Sequence, residues 1–299
     1  MHGLIVEYSI FKLLSLLLTL LCSAILCSCT PRIGHNLSST EVENTEYIWT
    51  ELRQTPSAEQ KFTPQGLTFI DGYLYLAESH DDRIGMVYQI DSSDNMQTTH
   101  QFRLPNDAVH TSGLAWDGQY LWAVDYASYK LYQIDLGKSI STGEAVVINE
   151  FQIGLDGPSA ITYFVWNHAP YLALSDFRNS KRTYIIPHGP YKHDIPITQQ
   201  ALFSYKNKTF SQGLAADSHY LYEAINKIGT DVIYQLDLCK LFEHHDFDQA
   251  ITGTIPAPSK MVEDLAIGDG KLWTSDESTY KIYTAPLSKN TKVNTCQKP

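Results

Sequence analysis

Five segments of the chain repeat one alternation of apolar and polar positions: QGLTFIDGYLYLAES from Gln65, SGLAWDGQYLWAVDY from Ser112, SAITYFVWNHAPYLALSDF from Ser159, QGLAADSHYLYEAIN from Gln212 and EDLAIGDGKLWTSDE from Glu263. Their second residues fall at 66, 113, 160, 213 and 264, so the intervals are 47, 47, 53 and 51. Each segment holds two short period-two runs, the signature of half-buried strands. Asp71-Gly72, Asp117-Gly118 and Asp269-Gly270 stand between them as hairpin turns, because Gly accepts positive φ without a Cβ clash. A third strand is expected in each unit at Gly85 to Asp91, Lys130 to Asp135, Arg182 to Ile186, Val232 to Asp237 and Lys281 to Ala285. Fourth strands follow the first four units at His100 to Leu104, Val147 to Ile153, Ala201 to Tyr205 and Ile251 to Ile255.

After the fifth unit only a polar tail remains, while Tyr47-Ile48-Trp49-Thr50-Glu51-Leu52 near the other end reads as a strand with no partner of its own. Its pairing with the last unit would close a ring and leave no interior sheet edge. Short-strand repeats of this period imply an all-β, five-bladed β-propeller; a six-bladed ring would need one more, strongly diverged unit. Tyr75, Trp122, Ala173, Tyr222 and Trp273 take one equivalent place in the second strands, where packing between blades is expected.

The N-terminal pattern is different. Leu13 to Leu26 is almost unbroken apolar sequence preceded by Lys12, the length of a signal-peptide core and too short to span a hydrocarbon layer. Leu26-Cys27-Ser28-Cys29 follows, and it resembles the lipobox of bacterial lipoproteins. That resemblance implies a signal peptide over 1–28, lipid on Cys29, a polar tether over 29–45 and a propeller over 46–299. It places the protein outside the cytoplasm, held to a bacterial membrane by acyl chains, more than one of which is needed for stable anchoring. Of the later cysteines, Cys239 and Cys296 either pair in an oxidising compartment or remain free thiols. Pairing would close a loop of 57 residues and add about 3 to 4 kcal/mol.

Charge narrows the choice of partner. The formal net charge is −11 and no Lys/Arg-rich run occurs, which argues against a nucleic-acid ligand. The chain holds no GxSxG, HExxH, P-loop or dinucleotide-binding glycine pattern. His110 and the His244-His245 pair lack ligand-like spacing and read as surface or loop residues.

Candidate chemistry therefore collects where the innermost strands begin. Gln65, Ser112, Ser159, Gln212 and Glu263 form a polar ring at positions where a core would hold apolar residues, suited either to a polar ligand or to channel water. A second ring consists of Glu78, Asp125, Asp176 and Asp276, with Asn226 displaced by one residue in the fourth unit. Such carboxylates commonly accept N–H groups of the following turn; they could also line a site for a hard divalent cation such as Ca²⁺. Asp264, Asp276 and Glu277 concentrate acid in the fifth unit and are the candidate ligands.

The repeats resemble those of the superfamily that includes quinoprotein-like, YVTN-type and SMP-30/gluconolactonase-like propellers. The lactonase-like members imply a metal-dependent hydrolase; at the position of their early inner-strand Glu this chain has Gln65. The segment FSQGLAADSHYLYEAINKIG, residues 210 to 229, resembles the FTQGL and LFESTGLYG segments of glutamine cyclotransferases, matching at Phe210, Gln212, Gly213, Leu214, Leu221, Glu223 and Gly229. By that resemblance Gln212 would contact substrate and Glu223 would be the acid/base for cyclising an N-terminal glutamine. The leading expectation is a lipid-anchored propeller that binds a small polar ligand, glycan or protein partner at its channel mouth, with the cyclotransferase and the metal-dependent lactonase as alternatives.

Overall fold

The alternating segments fold as their pattern requires. The structure, a computed structural model, describes residues 47–80, 83–93, 95–226 and 232–287; Cys29 with its signal segment, and Cys296, lie outside them. Twenty strands among the described residues form five four-stranded antiparallel sheets. The first blade is β2 (Thr63–Ile70), β3 (Tyr73–His80), β4 (Arg83–Asp91) and β5 (Thr98–Arg103). The second is β6 (Thr111–Trp116), β7 (Leu121–Asp125), β8 (Lys130–Ile134) and β9 (Val147–Gln152). The third is β10 (Pro158–Trp166), β11 (Ala169–Asp176), β12 (Arg182–Pro187) and β13 (Phe203–Lys206). The fourth is β14 (Phe210–Ala216), β15 (Tyr220–Asn226), β16 (Val232–Asp237) and β17 (Ile251–Pro256). The fifth joins β18 (Val262–Gly268), β19 (Lys271–Asp276) and β20 (Lys281–Pro286) to β1 (Thr50–Gln54).

Each inner strand touches the next, β2 to β6 to β10 to β14 to β18, and β18 returns to β2, which closes a five-bladed ring. β1 completes the last blade by pairing with β20, Thr50 opposite Thr284 and Gln54 opposite Lys281. This strand begins three residues later than the apolar pattern suggests. Trp49 is diverted from the ladder, because its indole N–H donates to the Pro256 carbonyl at 2.7 Å and its ring packs with Tyr47 against the core between the fourth and fifth blades. Beyond β1, the Thr55 N–H donates to the Tyr280 carbonyl and turns the chain into β2.

The core divides into five clusters, one at each seam between blades. Tyr75, Trp122, Ala173, Tyr222 and Trp273 fall one to a cluster, all buried. Strand alternation has thus placed one face of every second strand against the neighbouring blade. Asp71-Gly72 and Asp269-Gly270 adopt positive φ at both residues, as a two-residue hairpin turn requires. Among the described residues three α-helices escape the strand pattern: α1 (Leu136–Thr142), α2 (Leu238–His244) and α3 (Phe247–Ala250). Each is started by an aspartate, Asp135, Asp237 or Asp246, whose side chain accepts an N–H of the first turn. Cys239, in α2, is disulfide-bonded; its expected partner lies outside the described residues. Among the described residues no helix is long and apolar enough to cross a membrane.

Candidate functional site at the channel mouth

The polar ring lies on a repeated backbone irregularity. In all five blades the register between the first and second strands slips at the ring position: between Pro64 and Leu67, Thr111 and Gly113, Pro158 and Ala160, Ser211 and Gly213, and Val262 and Leu265. A β-bulge re-aims the side chain it carries. Five bulges in register therefore turn Gln65, Ser112, Ser159, Gln212 and Glu263 out of the alternation that governs the rest of each strand.

Immediately inside the ring the strands converge. A Cβ added at Gly66 would meet Gly113, one at Gly113 would meet Ala160 and Ile161, and one at Gly213 would come within 2.4 Å of the Glu263 carbonyl. Gly, Gly, Ala and Gly at these equivalent places leave room at the axis for one larger residue, and the fifth blade supplies Asp264. Its Oδ2 accepts the N–H groups of Leu67 at 2.9 Å and Leu114 at 3.2 Å. Its Oδ1 accepts those of Leu214 at 3.2 Å and Leu265 at 2.9 Å. One fully buried carboxyl thus ties the inner strands of four blades together. Burial pushes its pKa up, and the four N–H donors pull against that shift.

Above this tie, four side chains form a polar chain across the mouth. The Gln212 amide donates to Glu263 Oε1 at 3.2 Å, and the Gln65 amide donates to Glu277 Oε2 at 3.4 Å. The Glu277 carboxyl acts electrostatically on Glu263. Burial first, and then the Glu277 carboxyl, raise the Glu263 pKa well above the usual carboxylate range. Glu263 therefore keeps its proton at pH values where a solvated glutamate has lost it. Ser112 and Ser159 complete the ring with hydrogen bonds to the Pro158 carbonyl at 2.7 Å and to Ser175 at 2.9 Å.

The second ring has a different character. Asp125 accepts the N–H groups of His110, Ala127 and Ser128. Asp176 accepts those of Arg178 and Ser180, and Asp276 those of Met261 and Thr279 together with the hydroxyls of Ser259 and Ser278. These carboxylates organise the turns that follow the second strands. The oxygens of Asp264 and Asp276 are likewise engaged, and among the described residues no group of three His, Cys, Asp or Glu side chains is gathered as a metal-ligand set. Glu223 lies elsewhere, between the third and fourth blades. It is fully buried, accepts the Thr183 hydroxyl at 2.8 Å and the Tyr205 hydroxyl at 2.9 Å, and has its pKa raised by burial.

The turns after the second strands stand beside the starts of the inner strands, since Thr111 pairs with Asp125, Pro158 with Asp176 and Phe210 with Asn226. They bring a rim of side chains that belong to neither ring. The Arg178 guanidinium lies 4.8 Å from the Tyr126 ring centroid, Tyr126 packs on His110 at 5.0 Å, and Phe177 on Phe210 at 4.8 Å. Their signal was positional: each lies within two residues of a member of one of the two rings. Toward the other end the channel continues as a small cavity of about 100 Å³ lined by the inner strands of all five blades, with Thr68, Thr162 and Tyr163 among its polar groups.

No protein-family model and no curated protein sequence matches the chain. Solved structures do. A glutaminyl cyclase from Myxococcus xanthus superposes with a TM-score of 0.56 at 15% identity, over 80% of this chain and 96% of that one. The PQQ-bound aldose sugar dehydrogenase of Streptomyces coelicolor gives 0.45 at 12% identity over 82% of each chain. BamB from Moraxella catarrhalis gives 0.34 at 12% identity, over 74% of this chain and 59% of that one. At these identities the likeness is one of fold, and by architecture the chain is a five-bladed β-propeller.

Proposed function

We propose that this is an exported, lipid-anchored propeller whose channel mouth binds a small polar ligand. The observation that carries the reading is the polar chain Gln65, Glu277, Glu263 and Gln212, drawn from three blades, with Gln65, Glu263 and Gln212 held at bulged positions. A Glu263 carboxyl that keeps its proton, with Glu277 and the two carboxamides beside it, offers both donors and acceptors to amides, amines and hydroxyls. Isothermal titration of small amides, amines, sugars and peptides into the protein tests this. Saturable binding supports it, and turnover of a bound compound would replace binding with catalysis.

The anchor rests on the lipobox-like residues around Cys29. Mass spectrometry of the mature protein is expected to find acyl chains on Cys29, and Cys29→Ala to release the protein from membranes or block its processing. An unmodified N-terminus beyond Cys29 would refute it.

A second reading, cyclisation of N-terminal glutamine, is favoured by the fold likeness to the M. xanthus glutaminyl cyclase and by the FSQGL segment. That reaction needs a group to accept a proton from the attacking amine and return one to the departing ammonia. Glu263 sits at the mouth, whereas Glu223 would need a path through the blade seam. Ammonia release from glutaminyl peptides, compared in Glu263→Gln and Glu223→Gln, separates the two acids. Absence of release in the folded wild-type protein removes this reading.

A further inference from the structure

The channel mouth is electrically lopsided. Its acids, Glu263 and Glu277, belong to the fifth blade, whose neighbours in the ring are the first and the fourth. In a ring of five, the seam between the second and third blades stands opposite the fifth. Arg178 lies on that seam. It comes just after β11 of the third blade, and its guanidinium lies 4.8 Å from the ring centroid of Tyr126, which directly follows β7 of the second. The turn that carries it is fixed at several points. The Phe177 N–H donates to the Gly157 carbonyl at 2.7 Å, the Phe177 ring packs on Phe210 at 4.8 Å, and the Arg178 N–H donates to Asp176 at 3.1 Å.

Several cations of this chain pair with carboxylates, as Lys130 does with Asp107 at 2.9 Å and Lys281 with Glu51 at 2.7 Å. Arg178 does not. It has no carboxylate partner among the described residues, and Asp156, the acid of the adjoining loop, accepts the Asn179 amide at 2.6 Å instead. Lys181, at the other end of the same turn, likewise holds its ammonium 4.5 Å from the Phe210 ring centroid rather than beside an acid. Arg178 is exposed and Lys181 half-buried. An aromatic face holds a cation without neutralising it, so a guanidinium on Tyr126 keeps its N–H fork for a carboxylate. At a net charge of −11 an anion meets repulsion over much of the surface, and two uncompensated cations on one rim give it a place to settle.

We propose that the ligand of the mouth is a small carboxylate whose body carries amide or hydroxyl groups, its carboxylate on Arg178 with Lys181 beside it and its body on the Gln65 and Gln212 carboxamides. The acids of the fifth blade repel the charged end and so fix the direction in which the ligand lies. Such a ligand presupposes the binding site proposed for the mouth and narrows its choice from polar compounds in general to acids.

The test is isothermal titration of the full protein with N-acetylglycylglycine and glucuronate, each beside its uncharged counterpart, N-acetylglycylglycinamide and glucose, and with sodium acetate alone. Wild type is expected to bind at least one of the two acids at least tenfold more tightly than its counterpart, with an affinity that falls as salt is raised. Arg178 is exposed, so its substitution spares the fold. Arg178→Gln is expected to weaken that acid at least tenfold and Lys181→Gln severalfold, while Lys138→Gln on α1 leaves it unchanged. Acids that bind no better than their counterparts, acetate that binds as tightly as the larger acids, or acid binding undiminished in Arg178→Gln would overturn this proposal alone. No binding by any probe would overturn the binding reading of the mouth as well.

Discussion

At the scale of single residues, the account turns on buried carboxyls placed for opposite purposes. Asp264 accepts four backbone N–H groups at the axis. Asp264→Ala leaves those donors unpaired and is expected to cost about 3 to 5 kcal/mol in denaturant melts. Asp264→Asn, which retains one oxygen, should cost less. Gly213→Ala should also destabilise, because its Cβ would fall 2.4 Å from the Glu263 carbonyl. Glu263 makes stability depend on pH. Its folded pKa is raised, so its contribution to stability is fully present below the ordinary carboxylate pKa of about 4 and is lost as pH rises through the folded value. Urea midpoints should therefore fall as pH rises above about 4, and Glu263→Gln should flatten that fall. Asp117 behaves conversely. It accepts N–H groups of Gln119, Tyr120 and the Trp122 indole and lies 3.2 Å from His188 Nε2. Its pKa is held down to about 2 although burial opposes the shift, so its contribution is lost as pH falls from about 4 through about 2. Asp117→Asn should make acid unfolding less steep in that window.

At the scale of elements, the blades were legible because period-two alternation, Asp-Gly turns and a repeated spacing all point the same way. Trp122 and Trp273 illustrate this: one position, read from strand alternation, proves to be the centre of a seam. Trp122→Ala is expected to cost about 3 to 5 kcal/mol, measured by thermal or denaturant unfolding. The closing strand was legible in existence but not in bounds. Its apolar start, Tyr47 to Trp49, serves the seam core, and pairing begins only at Thr50. The first two short helices were hidden because they follow the third strands without a break, although Asp135 and Asp237 were available as N-cap signals. In the candidate site, spacing located the ring of Gln65, Ser112, Ser159, Gln212 and Glu263. It did not reveal that Glu277 would reach back to Gln65, because that contact joins residues 212 apart in sequence. Likewise no local pattern tells that Glu223 faces the preceding blade rather than the channel; that depends on which side of β15 meets Thr183 and Tyr205.

At the scale of the whole molecule, ring closure, the axial carboxylate and the mouth are coupled. The fifth blade supplies the closing partner for β1, the Asp264 tie and both acids of the mouth. A ligand at Glu263 and Glu277 therefore acts on the blade that holds the ring shut, and binding there should raise global stability by mass action. The most direct test of the mouth as a binding site is a thermal-shift and titration screen of small amides, amines, sugars and peptides, run in parallel on wild type and on a folded Gln65→Ala/Glu277→Gln variant. The account predicts at least one compound that raises the melting temperature of wild type and loses at least tenfold in affinity in the variant. No binder at all, or binders that hold equally well to the variant, would contradict it.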